Sequence, residues 1–125
     1  MPKLIYKKES YEIMGCCFEV FNNLGPGLRE SSYQKALEKV FGAKNIQYKS
    51  QLYVPNKVAE KVIGKNYLDF LIDDNIAIEI KAGDHFFRKD IDQLYAYLKS
   101  TNLQLGLLIN FTKDGVLSKR ILNIK

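Results

Sequence analysis

The chain has 125 residues, enough for one domain with a real core and too few for a second. Its 46% hydrophobic and 26% charged content is that of a soluble globular protein, and no stretch reads as a membrane span. A net charge of +5, from 19 Lys and Arg against 14 Asp and Glu, favours a polyanionic partner without demonstrating one. The first residues, through Lys7 and Lys8, lack the apolar stretch of a secretory signal. Cys16 and Cys17 are sequence neighbours with no third cysteine to pair with. They read as reduced core thiols, no zinc site is expected of them, and the expected compartment is the cytoplasm.

In chain order, a first helix is expected from Ser10, as its cap, to Leu24. Tyr11, Met14, Phe18, Phe21 and Leu24 form its apolar face, with Cys17 between. Gly25-Pro26-Gly27 ends it. A second helix spans about Glu30 to Ala43 and presents Tyr33, Ala36, Leu37, Val40 and Phe41 to the core. Residues Ile46 to Val54 and Val58 to Ile63 read as strands, with Gly64-Lys65 in a turn. Two apolar strands follow, around Asp69 and Glu79. A third helix, Phe87 to Ser100, buries Phe87, Ile91, Leu94, Tyr95 and Leu98. Strands at Leu105–Asn110 and about Lys119–Ile124 close the chain. Antiparallel strands, a crossover helix and returning strands predict an α/β fold: a mixed central sheet of five or six strands, flanked by helices on both faces.

The segment from Tyr67 to Lys81 carries the chemistry. Asp69, Glu79 and Lys81 stand where a buried hairpin should carry aliphatic side chains. A buried carboxylate costs about several kcal/mol unless a cation, metal or donor compensates it. Alternation puts Leu68, Phe70 and Ile72 on one face and Asp69, Leu71 and Asp73 on the other. In the next strand Ile76, Ile78 and Ile80 oppose Ala77, Glu79 and Lys81. Matching the Ile-rich faces needs an odd connection, a three-residue loop at Asp73-Asp74-Asn75 with Asn75 left-handed. Asp69 then faces Glu79 at about 5 Å between Cβ atoms, a pair that needs a cation between its members. Oxygen ligands beside an ammonium suit a divalent metal and a phosphate or attacking water. The competing reading is a solvated sheet face, with all three charges pointing at water. The apolar run Leu105 to Phe111 reads as another buried strand and favours a central position for the Glu79 strand.

Gly27-Leu28-Arg29-Glu30-Ser31-Ser32-Tyr33 fits a Gly-x-x-Glu-x-x-Tyr signature. Leu68-Asp69-Phe70-Leu71, Glu79-Ile80-Lys81-Ala82, Gln93 with Tyr97, and Gly106 to Phe111 match further landmarks of the same family. The chain resembles the GxxExxY family, a compact branch of the PD-(D/E)XK nuclease superfamily, over nearly its whole length. The resemblance implies a restriction-endonuclease-like core over residues 1–125 and metal-dependent hydrolysis of phosphodiesters in nucleic acid, DNA before RNA. It carries Asp69 and Glu79 over as metal ligands, Lys81 as catalytic lysine, Glu30 as the acid on an early helix, and Gln93 as a polar residue on the helix after the lysine strand. Two departures stand out: Leu68 replaces the proline of the superfamily's name, and Phe21-Asn22 stands where the family's pattern carries histidine.

On this reading magnesium, or manganese in its place, is held by Asp69, Glu79 and the main-chain carbonyl of Ile80, and Lys81 orients water or neutralises phosphate charge. Glu30 reaches the metal or one of its waters, or is simply a first-turn acid favoured by the helix dipole. Tyr33 fills the core with one polar contact. Lys89, Gln93 and Tyr97 share one flank of the third helix, and Arg88, Lys89, Tyr97, Lys119 and Arg120 are the candidate nucleic-acid contacts, each against the alternative of ordinary solvated surface. His85, a lone loop histidine, is not assigned as a base. A duplex substrate would call for a homodimer, one copy per strand. The main alternative keeps the fold as a catalytically weak or inactive nucleic-acid-binding or protein-interaction module; a phosphohydrolase of small nucleotides comes last, for want of a phosphate-binding glycine motif.

Overall fold

A computed structural model describes residues 5–58 and 61–124, apart from the side chains of residues 55–58 and 61–66. Three helices and five strands follow in the order α1 (Lys7–Leu24), α2 (Glu30–Ala43), β1 (Tyr48–Val58), β2 (Lys61–Ile72), β3 (Ile76–Ala82), α3 (Arg88–Thr101), β4 (Leu105–Phe111) and β5 (Val116–Leu122). The sheet runs β1-β2-β3-β4-β5, and only β3 and β4 are parallel. That pair is joined by α3, because parallel neighbours need a crossover long enough to return the chain. No described helix is long and apolar enough to cross a membrane.

The α/β class and the mixed sheet agree with the expectation, and the strand number is five because two expected strands are one. Residues Gly64 and Lys65 pair with Asn56 and Pro55 inside β2 instead of forming a turn. The last strand begins at Val116, earlier than expected, where a turn held by the Thr112 hydroxyl folds β5 back on β4.

Helices α1 and α2 cover one face of the sheet and α3 the other. On the first face Ile13, Cys16, Cys17 and Val20 of α1 and Tyr33, Leu37 and Phe41 of α2 meet Phe70, Ile72, Ile78, Ile80, Leu107 and Ile109. Both thiols are free and buried. The expected face of α1 is right only in part: Cys17 is buried and Met14 and Phe21 pack against the core, but Tyr11 is 82% exposed, Phe18 and Leu24 are exposed, and the smaller residues face the sheet. Two stripes of α1 are apolar, and the slimmer one lets the helix come closer to the strands. Ser10 is not the cap but lies inside the helix, its hydroxyl donating to the carbonyl of Tyr6 at 2.7 Å.

On the opposite face Leu94 and Leu98 of α3 pack on Leu68, Ala77, Leu108 and Ile121. Gly106 admits α3, since a Cβ there would lie 2.9 Å from Leu94 Cγ. Phe87 and Tyr95, expected inside, are exposed, and Asp90 takes the buried place.

Tyr33 does fill the core, stacked on Phe111 with ring centroids 4.1 Å apart. Its hydroxyl donates to the carbonyl of Gly25 at 2.7 Å and accepts the N–H of Leu28 at 3.3 Å, so it pins the turn that aims α2. Gly25 and Gly27 supply that turn's positive φ, 74° and 85°.

Candidate active site

The β2–β3 connection is the expected three-residue loop, but its left-handed residues are Asp73 and Asp74, at φ 51° and 59°, not Asn75. Asn75 instead donates its N–H to the carbonyl of Ile72 at 2.8 Å, closing a turn of primed type. The ladder then pairs Ile72 with Ile76, Leu71 with Ala77 and Phe70 with Ile78, and stops. One more step of that register would set Asp69 opposite Glu79. Here the strands part, and Asp69 Oδ2 takes the N–H of Ile80 at 2.7 Å in place of a main-chain acceptor. The N–H and C=O of one strand residue point to the same side, so the carbonyl of Ile80 opens into the same gap.

A second irregularity faces this one. Gln51, in mid-strand on β1, has φ 51°, a conformation that non-glycine residues adopt at a cost. Ser50 and Phe70 face α1 and α2, whereas Leu52, Val54 and Leu68 pack on the α3 side. The side-chain phase of both strands thus inverts at Gln51 and Asp69. Leu68, expected on the face of Phe70, lies on the other. The inversion leaves Asp69 between the layers, where Gln51 Nε2 donates to its Oδ1 at 3.4 Å and Gln34 Nε2 to its carbonyl at 3.1 Å.

Two hollows open here, and Glu30 lines both. One, of about 360 Å³, is walled by Gln34, Glu38, Gln51, Asp69 and Ile80. The other, of about 260 Å³, is walled by Lys81, His85, Phe87, Lys89, Asp90 and Asn110.

The acids are held away from their ordinary ionisation. Burial, and then the neighbouring charge of Asp69, push Glu79 from 4.5 up to about 8, against the opposing pull of Lys81. Burial also raises Asp69, opposed by the Ile80 N–H and the Lys81 charge, with Glu30 adding to the rise. A cation between Asp69 and Glu79 is what would let both ionise together. Their oxygens and the Ile80 carbonyl are the groups that would hold such an ion, hard oxygen donors of the kind a magnesium-sized ion takes. Among the described residues no three His, Cys, Asp or Glu side chains form a ready-made cage, so water and phosphate oxygens would complete such a shell.

Lys81 points to the α3 side, its Nζ 3.7 Å from the buried Asp90. Asn110 is its cross-strand neighbour on β4. The Asn110 amide donates to the carbonyls of His85 at 2.7 Å and Gly83 at 3.4 Å, while its buried Oδ1, like Gln34 Oε1, has no partner among the described residues. Four residues around the site were not anticipated: Gln34, Gln51, Asp90 and Asn110. Asp90 was detectable, because it continues the apolar spacing of Leu94 and Leu98 and carries a charge there. Gln34 likewise interrupts the apolar stripe of α2. No local signal marks Gln51.

Other expected site residues divide. Lys89 is exposed beside the Lys81 hollow, and Glu30 stands at the mouth of both. Gln93 is exposed and lines neither hollow. Tyr97 is half-buried against the core under α3. Arg88 pairs with Asp92 at 3.0 Å on the open surface. Lys119 is exposed, its ammonium 5.6 Å from the centre of the Phe86 ring. Arg120 is committed elsewhere: its guanidinium donates to Ser10 Oγ at 2.9 Å and to the carbonyl of Ile5, tying β5 to the start of α1.

A family model described as the PD-(D/E)XK nuclease superfamily matches residues 7–121. Among solved structures, one described as "Crystal structure of SSO0001" superposes with a TM-score of 0.58 at 21% identity, covering 96% of this chain. The chain spans 61% of that protein's length. The search of curated proteins found no match.

Proposed function

Because the chain belongs to the PD-(D/E)XK nuclease superfamily, we propose that it hydrolyses phosphodiester bonds in nucleic acid, DNA first, at Asp69, Glu79 and Lys81. The observation that carries this reading is the pair of half-buried acids at the break in the β2–β3 ladder, both raised by burial, with the charge of Asp69 raising Glu79 further. Structural acids are rarely left in that state, whereas a site that gains a cation on binding needs it.

Asp69, Glu79 and the Ile80 carbonyl would hold magnesium or manganese. Such an ion would supply charge neutralisation for the phosphate and a more acidic water. The residues of the chain do the rest. Ile80 N–H fixes the Asp69 carboxylate through Oδ2, and Oδ1, which accepts from Gln51, keeps a second lone pair for the site. Lys81 leaves Asp90 to donate to a non-bridging phosphate oxygen or to the attacking water. Glu30, at the common mouth of the hollows, holds a water by its carboxylate. Water oxygen forms a bond to phosphorus, the ester oxygen leaves, and the products are a phosphate monoester and a hydroxyl. A duplex substrate would engage two copies of the chain, one per strand.

Incubation with single- and double-stranded DNA and RNA in Mg²⁺ or Mn²⁺, with EDTA and Lys81→Ala as controls, tests the proposal. Cleavage abolished by both controls supports it. Cleavage surviving both refutes it, and salt-sensitive binding without cleavage transfers the protein to the binding-module reading.

A further inference from the structure

We propose that Tyr53 and Tyr67 form a stacking platform for unpaired bases, so that the substrate is single-stranded, or locally unpaired, beside the cut. The proposal rests on the nuclease reading above and gives it a substrate class.

The two tyrosines are direct cross-strand partners on β1 and β2. Their ring centroids lie 5.9 Å apart at 66°, and they are 52% and 46% exposed. Tyr53 lies two residues beyond Gln51 and Tyr67 two residues before Asp69, about 7 Å along each strand. The phase inversion at Gln51 and Asp69 decides which way they face. Since Leu52, Val54 and Leu68 turn to the α3 side, both rings stand on the α2 side, with the hollow walled by Glu30, Gln34, Gln51 and Asp69. With a regular β1 the same residues would face α3. The end of the β2–β3 ladder at Phe70 also leaves the flank of Tyr67 without a β3 neighbour.

A cross-strand aromatic pair can serve merely to stabilise a hairpin. Such a pair gains most when covered, and these rings keep about half their surface open on the side of the hollow that Asp69 lines. Aromatic faces next to a polyanion site suit bases whose own faces are free, which a duplex hides in its stack. The chain's net charge of +5 favours the same partner.

The chain contains no tryptophan, so Tyr67→Trp installs a single fluorescent reporter. Titrated with a short oligo(dT) in EDTA, where no cleavage occurs, its emission should be quenched on binding. Tyr53→Ser and Tyr67→Ser should each lose about ten- to a hundredfold in affinity for the oligo(dT), and Tyr53→Phe and Tyr67→Phe should keep it. Affinity for a blunt duplex of equal length should be unchanged in all four. Equal losses for oligo(dT) and duplex overturn the proposal, as does binding without quenching. A change of oligomeric state in the Ser variants, seen by sedimentation, also overturns it, because the rings would then be a protein interface. If the Ser variants do not fold, quenching of Tyr67→Trp decides alone. Duplex cleavage with no oligo(dT) binding sinks the platform and spares the active site; oligo(dT) quenching with no cleavage of any substrate does the reverse.

Discussion

Gln51 and Asp69 face each other across β1 and β2 at the point where both strands invert their side-chain phase, and the glutamine amide donates to the aspartate Oδ1 at 3.4 Å. A left-handed glutamine inside a strand costs about 1–2 kcal/mol. Glycine adopts that φ freely, at some entropic cost in the unfolded chain. Gln51→Gly is therefore expected to be more stable by up to about 1 kcal/mol in urea melts and, if Asp69 holds the metal as proposed, to cleave about tenfold more slowly for loss of an orienting contact. A variant with unchanged cleavage would reduce Gln51 to an architectural kink.

The state of Glu79 predicts an unusual pH dependence. Its carboxyl titrates near 8 in the fold and near 4.5 in a free chain, so the folded state binds the proton more tightly. The resulting stabilisation is complete below about 4.5 and is lost as pH rises through about 8. Asp69, raised as well, pulls in the same direction. Metal-free protein should therefore lose on the order of a few kcal/mol between those limits, and Glu79→Gln should flatten the curve. Mg²⁺ needs the ionised acids, so its affinity should rise over the same interval. Calorimetric melts with EDTA and with Mg²⁺ check both slopes; a metal-free stability that climbs toward pH 8 contradicts the burial of Glu79.

Much of this was legible in the chain. Three loop residues between Ile72 and Ile76 and two Ile-rich strands set the β2–β3 register, because only that register puts both apolar faces on one side. Helix α2 was readable from its single apolar stripe. Helix α1 has two such stripes, and counting aromatic residues selects the larger, whereas close contact with the sheet selects Ile13, Cys16, Cys17 and Val20. The kink at Gln51 left no trace, since glutamine has no propensity for a left-handed turn; only the neighbours' packing imposes it. Arg120 resembled its basic neighbours until α1 and β5 came together, because its partners, Ser10 and the Ile5 carbonyl, are more than a hundred residues away in sequence.

Lys81 and Asp90 form a pair in which Asp90 is buried and Lys81 only partly so, which gives their variants distinct signatures. Lys81→Ala leaves a buried carboxylate without its cation and should cost about 1–3 kcal/mol along with cleavage. Adding Asp90→Asn removes the stranded charge and should return most of the stability and none of the activity. Asp90→Asn alone should keep the fold and change cleavage, because Lys81 then lacks its resting partner. Additive stabilities in this double-mutant cycle would mean that the two groups do not interact.

The Tyr33 hydroxyl provides a test of how Glu30 acts. Tyr33→Phe keeps the stack on Phe111 but releases the carbonyl of Gly25 and the N–H of Leu28, at an expected cost of about 1–2 kcal/mol. The freed turn leads directly into Glu30, at the first turn of α2, so the acid should lose its fixed position at the mouth of both hollows. Gly106→Ala makes the matching control. Its new methyl meets Leu94 at 2.9 Å, on the far side of the sheet from α2, and should cost about 1–3 kcal/mol by overpacking. If Glu30 works at the site, Tyr33→Phe should lower cleavage well below that of Gly106→Ala at equal stability, measured at a temperature where both variants are fully folded. Equal rates would assign Glu30 to the helix dipole alone.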